Sequence, residues 1–321
     1  MINAAIVGLG WWGKNLVEAV QGKSQRLRFV RGACRNTAPV EGFARQHGLT
    51  LGSFAEALGD PGIDAIVLAT PHSLHAEQIV AAAKAGKPVL CEKPLTLTRA
   101  DAVRAIEACR QAGVVLALAE NHRFWPNMRE LHRIAACGEL GELLHIEGHA
   151  SNENAGRFFG AWRHDPSESP AGGMTGTGVH VLDAFIHMMG PVQSVSAQLV
   201  MRKPAPDPTD MMSAMFRFAS GATGLLATVR STPNYRRVHV FGRAGSAEAL
   251  GESELVVRRS GQPETRLRFA PIDSLRAELE AFADAVAGAA PYPITTAQML
   301  DTVAAFEALV RSAETERPVA C

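Results

Sequence analysis

Short apolar segments alternate with helical patterns over the first 120 or so residues of the chain. The segment DAIVLAT has the uninterrupted apolar run of a strand that is buried on both faces. Helices are predicted from Gly10 to about Gly22, after the capping-box pair Ser53 and Glu56, and after Thr98. Further strands are predicted in NAAIVG, LRFVRGAC, PVLCEK and VVLALAEN. This alternation predicts an α/β domain with a doubly wound parallel sheet.

After about residue 121 the pattern changes to strands that follow one another mostly without helices. Several of them alternate apolar and polar residues, which is typical of an antiparallel sheet with one covered face. They are LLHIEGHAS, VQSVSAQLV, MMSAMFRFA, ATGLLATVR, RRVHVFGRAG and SELVVRRS. Two helices are predicted near 274–289 and 295–314. We therefore predict domains at 1–121 and 122–321, the second an α+β domain with a large, mostly antiparallel open sheet, whose last helices can pack back on the first. Pro126 suits the first position of a helix after the boundary.

Composition narrows the classes of protein. The 321 residues carry 32 Lys plus Arg and 32 Asp plus Glu, a formal net charge of zero that does not indicate a nucleic-acid partner. No apolar run reaches the roughly 18 residues of a membrane span, and the N-terminus lacks the features of a signal peptide. The five cysteines are odd in number and include no Cys-x-x-Cys, which favours reduced thiols in the cytoplasm.

A glycine motif lies between the first strand and the first helix. Gly8, Gly10 and Gly13 form G-x-G-x-x-G, in the strand–turn–helix context of a Rossmann dinucleotide site. Gly8 permits the tight turn, Gly10 lets the backbone approach a pyrophosphate, and Gly13 lets helix and strand pack closely. The alternative is a glycine-rich turn without a ligand.

The residues after the second strand bear on the choice of nucleotide. NAD-binding domains commonly place an acidic residue there for the ribose hydroxyl, about 20 residues after the glycines. This chain has Cys34, Arg35, Asn36 and Thr37 instead. Because a guanidinium pairs well with a 2′-phosphate, Arg35 favours NADP over NAD. The alternative is a solvated Arg35 in a protein that accepts NAD without a carboxylate.

Further motifs follow the predicted strands and continue into the second domain. They are Thr70-Pro71 with His75, Glu92-Lys93-Pro94, Asn121-His122-Arg123-Phe124, Trp162-Arg163 and GVHVLD. Together with the glycine motif they resemble the Gfo/Idh/MocA family of NAD(P)-dependent sugar and polyol oxidoreductases over nearly the whole chain. The resemblance implies a nicotinamide between two domains, and often a cis peptide bond before Pro94.

The resemblance also implies roles for single residues. Lys93 is expected to contact the substrate oxygen, and His180 to be the general acid/base. With the glycine motif and Arg35 included, the candidate cofactor contacts are Gly8, Gly10, Trp11, Trp12, Gly13, Arg35, Thr70, Pro71, His72, His75, Glu92, Lys93, Asn121, Trp162 and Arg163. The candidate substrate contacts are Lys93, His122, Arg123, Thr175, Thr177 and His180. No metal is predicted, metal binding by His72 and His75 being the alternative.

These residue types suit hydride transfer. Removing the proton of a hydroxyl is best done by a group with a pKa near the working pH, as histidine has. A lysine supplies positive charge where alkoxide character develops.

Position 176 departs from the family pattern. Gly176 stands where the family usually has an aspartate, four residues before His180. Either Thr175 or Thr177 gives hydroxyl hydrogen bonds instead, or Asp183, three residues after His180, orients the imidazole, unless it serves packing. Because glycine is small and uncharged, we expect a substrate that is larger or more acidic than a simple hexose. Without an aspartate nearby, the helix N-terminus should lower the pKa of His180, and a neutral base favours the oxidative direction.

Two other functions remain open at this point. One is a lyase or isomerase that uses a retained nicotinamide transiently, and the other is a non-catalytic NAD(P)-binding sensor. As partners we expect a sugar-like or polyol-like small molecule, no nucleic acid and no membrane. A free face of the second sheet, with residues such as Met215, Phe216 and Leu225, suits a homodimer or homotetramer.

Overall fold

The structure is a computed structural model that describes residues 1–153, 161–202, 210–230 and 232–321, apart from the side chains of Ala161 and His164. The chain divides into two compact units. The first comprises Met1–Asn121 and Asp273–Met299, and the second comprises His122–Ile272 and Leu300–Cys321.

The first unit contains a parallel sheet. Its strands are β1 (Ile2–Val7), β2 (Leu27–Ala33), β3 (Thr50–Gly52), β4 (Ala65–Leu68), β5 (Val89–Glu92) and β6 (Leu116–Ala119). Its first helices are α1 (Trp11–Val20), α2 (Glu41–His47), α3 (Phe54–Gly59), α4 (His75–Lys84) and α5 (Arg99–Ala112). The strand order is β3-β2-β1-β4-β5-β6, and every pairing is parallel. The prediction of a doubly wound α/β domain is confirmed.

Local signals in the sequence explain where these elements begin and end. Ser53 accepts from the backbone amide of Glu56 in the predicted capping box, and Thr98 accepts likewise from Asp101. Gly113, in the left-handed region, ends α5. Strands β4, β5 and β6 are buried along their full length, as runs of apolar residues covered on both faces should be.

The second unit contains a sheet of nine strands. They are β7 (Leu143–Asn152), β8 (Val192–Val200), β9 (Met211–Phe218), β10 (Thr223–Arg230), β11 (Tyr235–Gly242), β12 (Gly245–Leu250), β13 (Glu254–Arg259), β14 (Thr265–Arg268) and β15 (Val319–Ala320). The order is β14-β13-β12-β11-β7-β10-β9-β8-β15, antiparallel except where β10 pairs with β7. The predicted large, mostly antiparallel sheet is confirmed.

The remaining helices are α6 (Pro126–Ala136), α7 (Val179–Met189), α8 (Ser274–Val286) and α9 (Thr296–Thr315). Pro126 opens α6, as expected. Helix α8 belongs to the first unit, where Leu279 and Phe282 are part of the core beneath β1 and β2. None of the helices in the described residues has the length and apolar character to cross a membrane.

Helix α7 covers the inner face of the second sheet. A side chain in place of Gly148 on β7 would overlap Val181, so the glycine permits the close approach of helix and strand. Phe216 packs edge-on against Phe185 of α7, with ring centroids 5.6 Å apart. The expectation that Phe216 lies on the free face is therefore wrong, because it alternates with Met215, which is 60% exposed on the outer face.

Candidate functional site

The glycine turn between β1 and α1 has no room for a Cβ atom at two of its three glycines. Gly8 has a φ of +96°, and a Cβ there would overlap the carbonyl oxygen of Ala69. A Cβ at Gly13 would overlap the carbonyl oxygen of Gly8. Both positions therefore require glycine for the turn itself, whether or not a ligand is bound.

Gly10 differs from its two neighbours because a Cβ there would meet no atom within 4 Å. Gly10 is also the N-cap of α1, where the first backbone N–H groups of the helix have no intrahelical acceptor. An open space at a helix N-terminus fits the pyrophosphate of a dinucleotide. Of the two tryptophans in this turn, Trp11 is 49% exposed and Trp12 donates its indole N–H to Glu92.

Arg35 lies just beyond the end of β2. Its side chain is exposed, and the next residue, Asn36, turns back to accept from the amide of Ala38. The guanidinium is therefore held on a surface turn.

The loops after β4 and β5 are tied together by one buried histidine. The Nδ1 of His75 lies 3.0 Å from the carbonyl oxygen of Pro94, and its Nε2 lies 3.1 Å from that of Thr70. The Lys93–Pro94 peptide bond is cis, as the resemblance implies. His72, predicted with His75 as a cofactor contact, is also buried. Both ring nitrogens of His75 thus lie at hydrogen-bond distance from a backbone carbonyl, and a neutral ring donates to one of the two. The ring therefore bridges the loop after β4 and the loop that carries Lys93.

Three buried carboxyl groups belong to this part of the first unit. Glu92 ends β5, Glu120 follows β6, and Glu278 comes from α8. Burial raises the pKa of Glu278 well above its usual value, and the charges of Glu92 and Glu120 raise it further. We did not predict Glu278 from the sequence, although its place on the apolar stripe of α8 was the available signal.

In the second unit, α7 begins with a glycine-rich turn that is closed by a carboxylate. The amide of Gly173 donates to both oxygens of Asp210, at 3.0 and 3.1 Å, and Nε of Arg230 lies 3.1 Å from Asp210. The π-helical turn Met174–Gly178 follows and leads directly into α7. Asp210, only 2% exposed, thus holds the start of the helix that carries His180.

His180 lies in a stack of three rings. Its imidazole is parallel to that of His122, with centroids 3.8 Å apart, and His122 stacks on Trp125 at 3.7 Å. The Nη1 of Arg236 lies 3.2 Å from Nε2 of His122. His122 and His180 were predicted from the sequence. Arg236 was not, because β11 lies far along the chain from both, and Trp125 was not singled out although it is three residues from His122.

A small cavity adjoins this stack. Among the described residues it has an apolar side and a polar side, the polar side formed by His122, His149, Thr177, His180, Arg236 and Arg237. Thr175, the other predicted threonine, is fully buried and donates to the carbonyl oxygen of Pro170. Only Thr177 of the two therefore lines the cavity.

Arg123 and Asp183 form a buried ion pair within the second unit. Two guanidinium nitrogens of Arg123 donate to the two carboxylate oxygens of Asp183, Nε at 2.5 Å and Nη2 at 2.9 Å. The pair joins the segment before α6 to α7, so Asp183 has a packing role in this structure. The predicted substrate contact of Arg123 remains a prediction.

The other predicted residues of this part are described individually. Trp162 and Arg163 lie in a short helical turn, Ala161–His164, with the guanidinium 4.8 Å from the indole ring. Asn121 donates to Ser274 at the start of α8.

Comparisons with known proteins agree with the fold. Residues 2–120 match the Gfo/Idh/MocA model described as an oxidoreductase family with an NAD-binding Rossmann fold, and residues 128–248 match the Gfo/Idh/MocA C-terminal domain. The scyllo-inositol 2-dehydrogenase (NAD(+)) of Bacillus subtilis is 30% identical over 261 residues, 76% of this chain and 72% of that protein. The D-xylose 1-dehydrogenase (NADP(+)) 2 of Haloferax volcanii is 29% identical over 94% of each chain.

Solved structures show the same architecture. A levoglucosan dehydrogenase in complex with NADH and L-sorbose superposes with a TM-score of 0.88, covering 99% of this chain and 98% of its own. At 24% identity, this likeness supports the fold alone.

Proposed function

Because this chain belongs to the Gfo/Idh/MocA family of NAD-binding oxidoreductases, we propose that it oxidises a hydroxyl group of a sugar, polyol or related hydroxy compound, or reduces the matching carbonyl, using Lys93 and His180. The observation that carries this proposal is the open space at Gly10 between two closed glycines, which fits a pyrophosphate. The named relatives, a scyllo-inositol and a D-xylose dehydrogenase, support the substrate class.

The chain's own residues have distinct tasks in this reaction. Bound NAD(P) supplies the hydride acceptor, or the donor in reverse. In oxidation, the C–H hydrogen leaves with its electron pair, and a ring nitrogen of His180 takes the hydroxyl proton. The ammonium of Lys93 donates a hydrogen bond to the same oxygen and stabilises its developing negative charge. The backbone amides of the glycine turn and of the start of α1 bind the dinucleotide.

The test has two parts, binding and turnover. We expect NAD(P)H to bind with a fluorescence change, and absorbance at the nicotinamide band to report turnover on a panel of sugars and polyols. Lys93→Met and His180→Asn should each lower kcat by about 100-fold or more, because the first removes the charge that stabilises the alkoxide and the second removes the general acid/base. His180→Asn should keep the affinity for NAD(P)H within about threefold, because His180 is not an expected cofactor contact. Cofactor binding without turnover on any member of the panel would favour the sensor instead.

We also propose a preference for NADP, based on the exposed Arg35 at the end of β2. Arg35→Gln should weaken NADPH binding about tenfold and leave NADH binding unchanged, since one charge-assisted hydrogen bond is lost. Arg28→Gln is the control, because Arg28 is exposed on β2, the strand before Arg35, and donates to the side chain of Asn3. Equal losses for NADPH and NADH would contradict the preference.

We further propose an acidic substrate, because the guanidinium of Arg236 lines the cavity beside His180 and position 176 has no carboxylate. We expect sugar acids or hydroxy acids to be turned over with a higher kcat/KM than the matching neutral sugars. Gly176→Asp should reverse this order, because it adds a negative charge four residues before His180. If Gly176→Asp instead raises turnover of neutral sugars without loss on the acids, the proposed preference is wrong.

Finally, we propose that two copies of the chain associate through the outer face of the second sheet. Met215 and Leu225 are directly paired on β9 and β10 and are 60% and 45% exposed. Light scattering should give a dimer or tetramer for the natural chain and a smaller species for Met215→Lys. Val103→Lys on α5, 43% exposed in the first unit, should leave the mass unchanged.

A further inference from the structure

The stack beside His180 contains two histidines, and the structure distinguishes them. His122 has Arg236 at its Nε2, at 3.2 Å. A guanidinium has donors only, so Nε2 of His122 must present its lone pair to Arg236. The imidazole of His122 is therefore neutral, with its proton on Nδ1. Protonating His122 would place a second cation at hydrogen-bond distance from Arg236.

The same residues also restrict the orientation of the rings. His122 lies between Trp125 and His180, inclined by 22° to the indole and by 18° to the other imidazole. The guanidinium of Arg236 lies 5.5 Å from the centroid of the Trp125 ring, so the same arginine contacts both Trp125 and His122. His180 is only 8% exposed, and rotation of its ring would break the parallel contact with His122.

The other charged groups packed around the stack within the second unit are balanced by partners. Arg237, next to Arg236 on β11, forms ion pairs with Glu147 and Glu248. Asp183, on the same helix as His180, is paired with Arg123. His149 on β7, the remaining titratable group of the cavity, lies 3.2 Å from the hydroxyl of Ser151. Among these second-unit groups, Arg236 is the one with a guanidinium nitrogen at hydrogen-bond distance from His122.

We propose that Arg236 and His122 are positioning residues for His180: Arg236 keeps His122 neutral, and the His122 ring fixes the His180 ring, so that only His180 exchanges a proton with the substrate. This rests on the proposed role of His180 as general acid/base. It also gives a second-unit substitute for the aspartate that is absent at position 176. In oxidation, the proton of the substrate hydroxyl goes to His180 and then to solvent. In reduction, His180 returns a proton to the substrate oxygen. His122 keeps its single proton in both directions.

Replacing the arginine tests the control of charge. In Arg236→Met, His122 becomes protonatable, so kcat/KM should fall about tenfold at neutral pH and its acid limb should steepen from one proton towards two. Arg236→Lys keeps the cation and should retain a one-proton limb. An Arg236→Met variant that keeps the natural pH profile would overturn the proposal.

Replacing the histidine tests the control of orientation. His122→Phe keeps a flat ring and should hold kcat within about threefold, whereas His122→Ala removes the contact and should lower kcat about tenfold or more. His132→Phe and His132→Ala are matched controls, because His132 stacks on His187 at 3.7 Å elsewhere in the unit. Equal losses in His122→Phe and His122→Ala, with both proteins folded by circular dichroism, would contradict the positioning role.

A measurement on the resting full-length chain separates this proposal from the proposed function. Nitrogen-15 NMR of labelled histidines should show His122 with an unprotonated Nε2 at neutral pH, and the Arg236→Met variant should lose that signature. If hydride transfer is absent but this signature is found, the proposed function fails while the pairing of Arg236 with His122 stands. If Nε2 of His122 carries a proton in the natural chain, the pairing fails whatever the activity.

Discussion

The two glycine-rich turns of this protein each lead into a helix, but they treat the helix N-terminus in different ways. Before α1, Gly8 and Gly13 are closed by backbone, and the space at Gly10 is open. Before α7, the amide of Gly173 donates to the carboxylate of Asp210, and a Cβ at Gly172 would overlap that carboxylate. One turn leaves room for an external anion, whereas the other contains an anion of its own.

This difference separates binding from positioning. A turn that must accept a ligand keeps its amides available, and its fold is held by steric closure at neighbouring glycines. The turn before α7, the helix that carries the proposed acid/base His180, has the Gly173 amide bound internally by Asp210, which fixes the start of the helix without an external ligand. The following four changes test this comparison.

The largest effect is expected from removing the internal anion. Asp210→Ala leaves Arg230 without its carboxylate and the amide of Gly173 without its acceptor, and breaking such a buried pair costs about 3–5 kcal/mol. Urea unfolding measures this loss. Asp210→Ala/Arg230→Met should recover part of it, because the unpaired cation is gone. A loss below about 1 kcal/mol for Asp210→Ala would mean that the carboxylate does not hold the turn.

The second largest effect is expected from adding a side chain to the turn before α1. Gly13→Ala places a methyl group against the carbonyl oxygen of Gly8, and the backbone shift should cost about 1–3 kcal/mol and abolish NAD(P)H binding. Gly42→Ala in α2 is the control, since a Cβ there meets nothing within 4 Å. If Gly13→Ala binds NAD(P)H as the natural chain does, steric closure is not what shapes the turn.

The helix after the second turn should also respond to acid. Burial lowers the pKa of His187 on α7 to about 2, with the charges of Arg123 and His132 adding to the shift, and burial likewise lowers the pKa of His132. The unfolded chain takes up these protons below about pH 6.5 while the folded chain does not. The stabilisation is therefore complete above pH 6.5 and is lost as pH falls from there towards 2.

His187→Phe removes this dependence and keeps a ring in the stack. Between pH 7 and pH 5 we expect the natural chain to lose about 1–2 kcal/mol more unfolding free energy than His187→Phe. His145→Phe is the comparison variant, because His145 lies on a partly exposed strand beside Thr223. Parallel curves for the natural chain and His187→Phe would show that His187 is not the group responsible.

The smallest change in stability is expected at the open glycine. Gly10→Ala should alter the free energy of unfolding by less than about 0.5 kcal/mol, since its Cβ meets no atom within 4 Å. It should nevertheless weaken NAD(P)H binding about tenfold or more, because the methyl group occupies the space of the pyrophosphate. Unchanged affinity, measured by the same fluorescence titration as for Gly13→Ala, would contradict a dinucleotide site at this turn.

How far the sequence predicted the molecule depended on the distance between the residues involved. The strand pattern, the capping residues Ser53 and Thr98 and the glycine turn at Gly8 were predicted because each depends on neighbours within a few positions. Phe216 was assigned to the wrong face because adjacent strand residues point to opposite sides, and the sequence does not say which side a helix covers.

The candidate site shows the same division. The residues that the sequence singled out, Lys93 and His180, follow recognisable motifs within a few residues of a strand or helix end. Other groups of the two units come from elsewhere along the chain: Glu278 from α8 acts on Glu92 and Glu120, Asp210 from just before β9 binds the Gly173 amide, and Arg236 from β11 contacts His122. No local pattern connects these residues to their partners, because only the folded sheet brings them within hydrogen-bond distance.

By itself, therefore, the sequence determined the parallel and the mostly antiparallel sheet and the glycine turn after β1, since these follow from periodicity and sterics, whereas His180 was named as candidate acid/base through the resemblance to a family. The tertiary structure decided that the start of α7 holds the carboxylate of Asp210 while the space at Gly10 before α1 is open, which carboxyl groups are buried together and which rings stack on His180. Those properties depend on burial and on charges brought together across the fold, and a linear pattern contains neither.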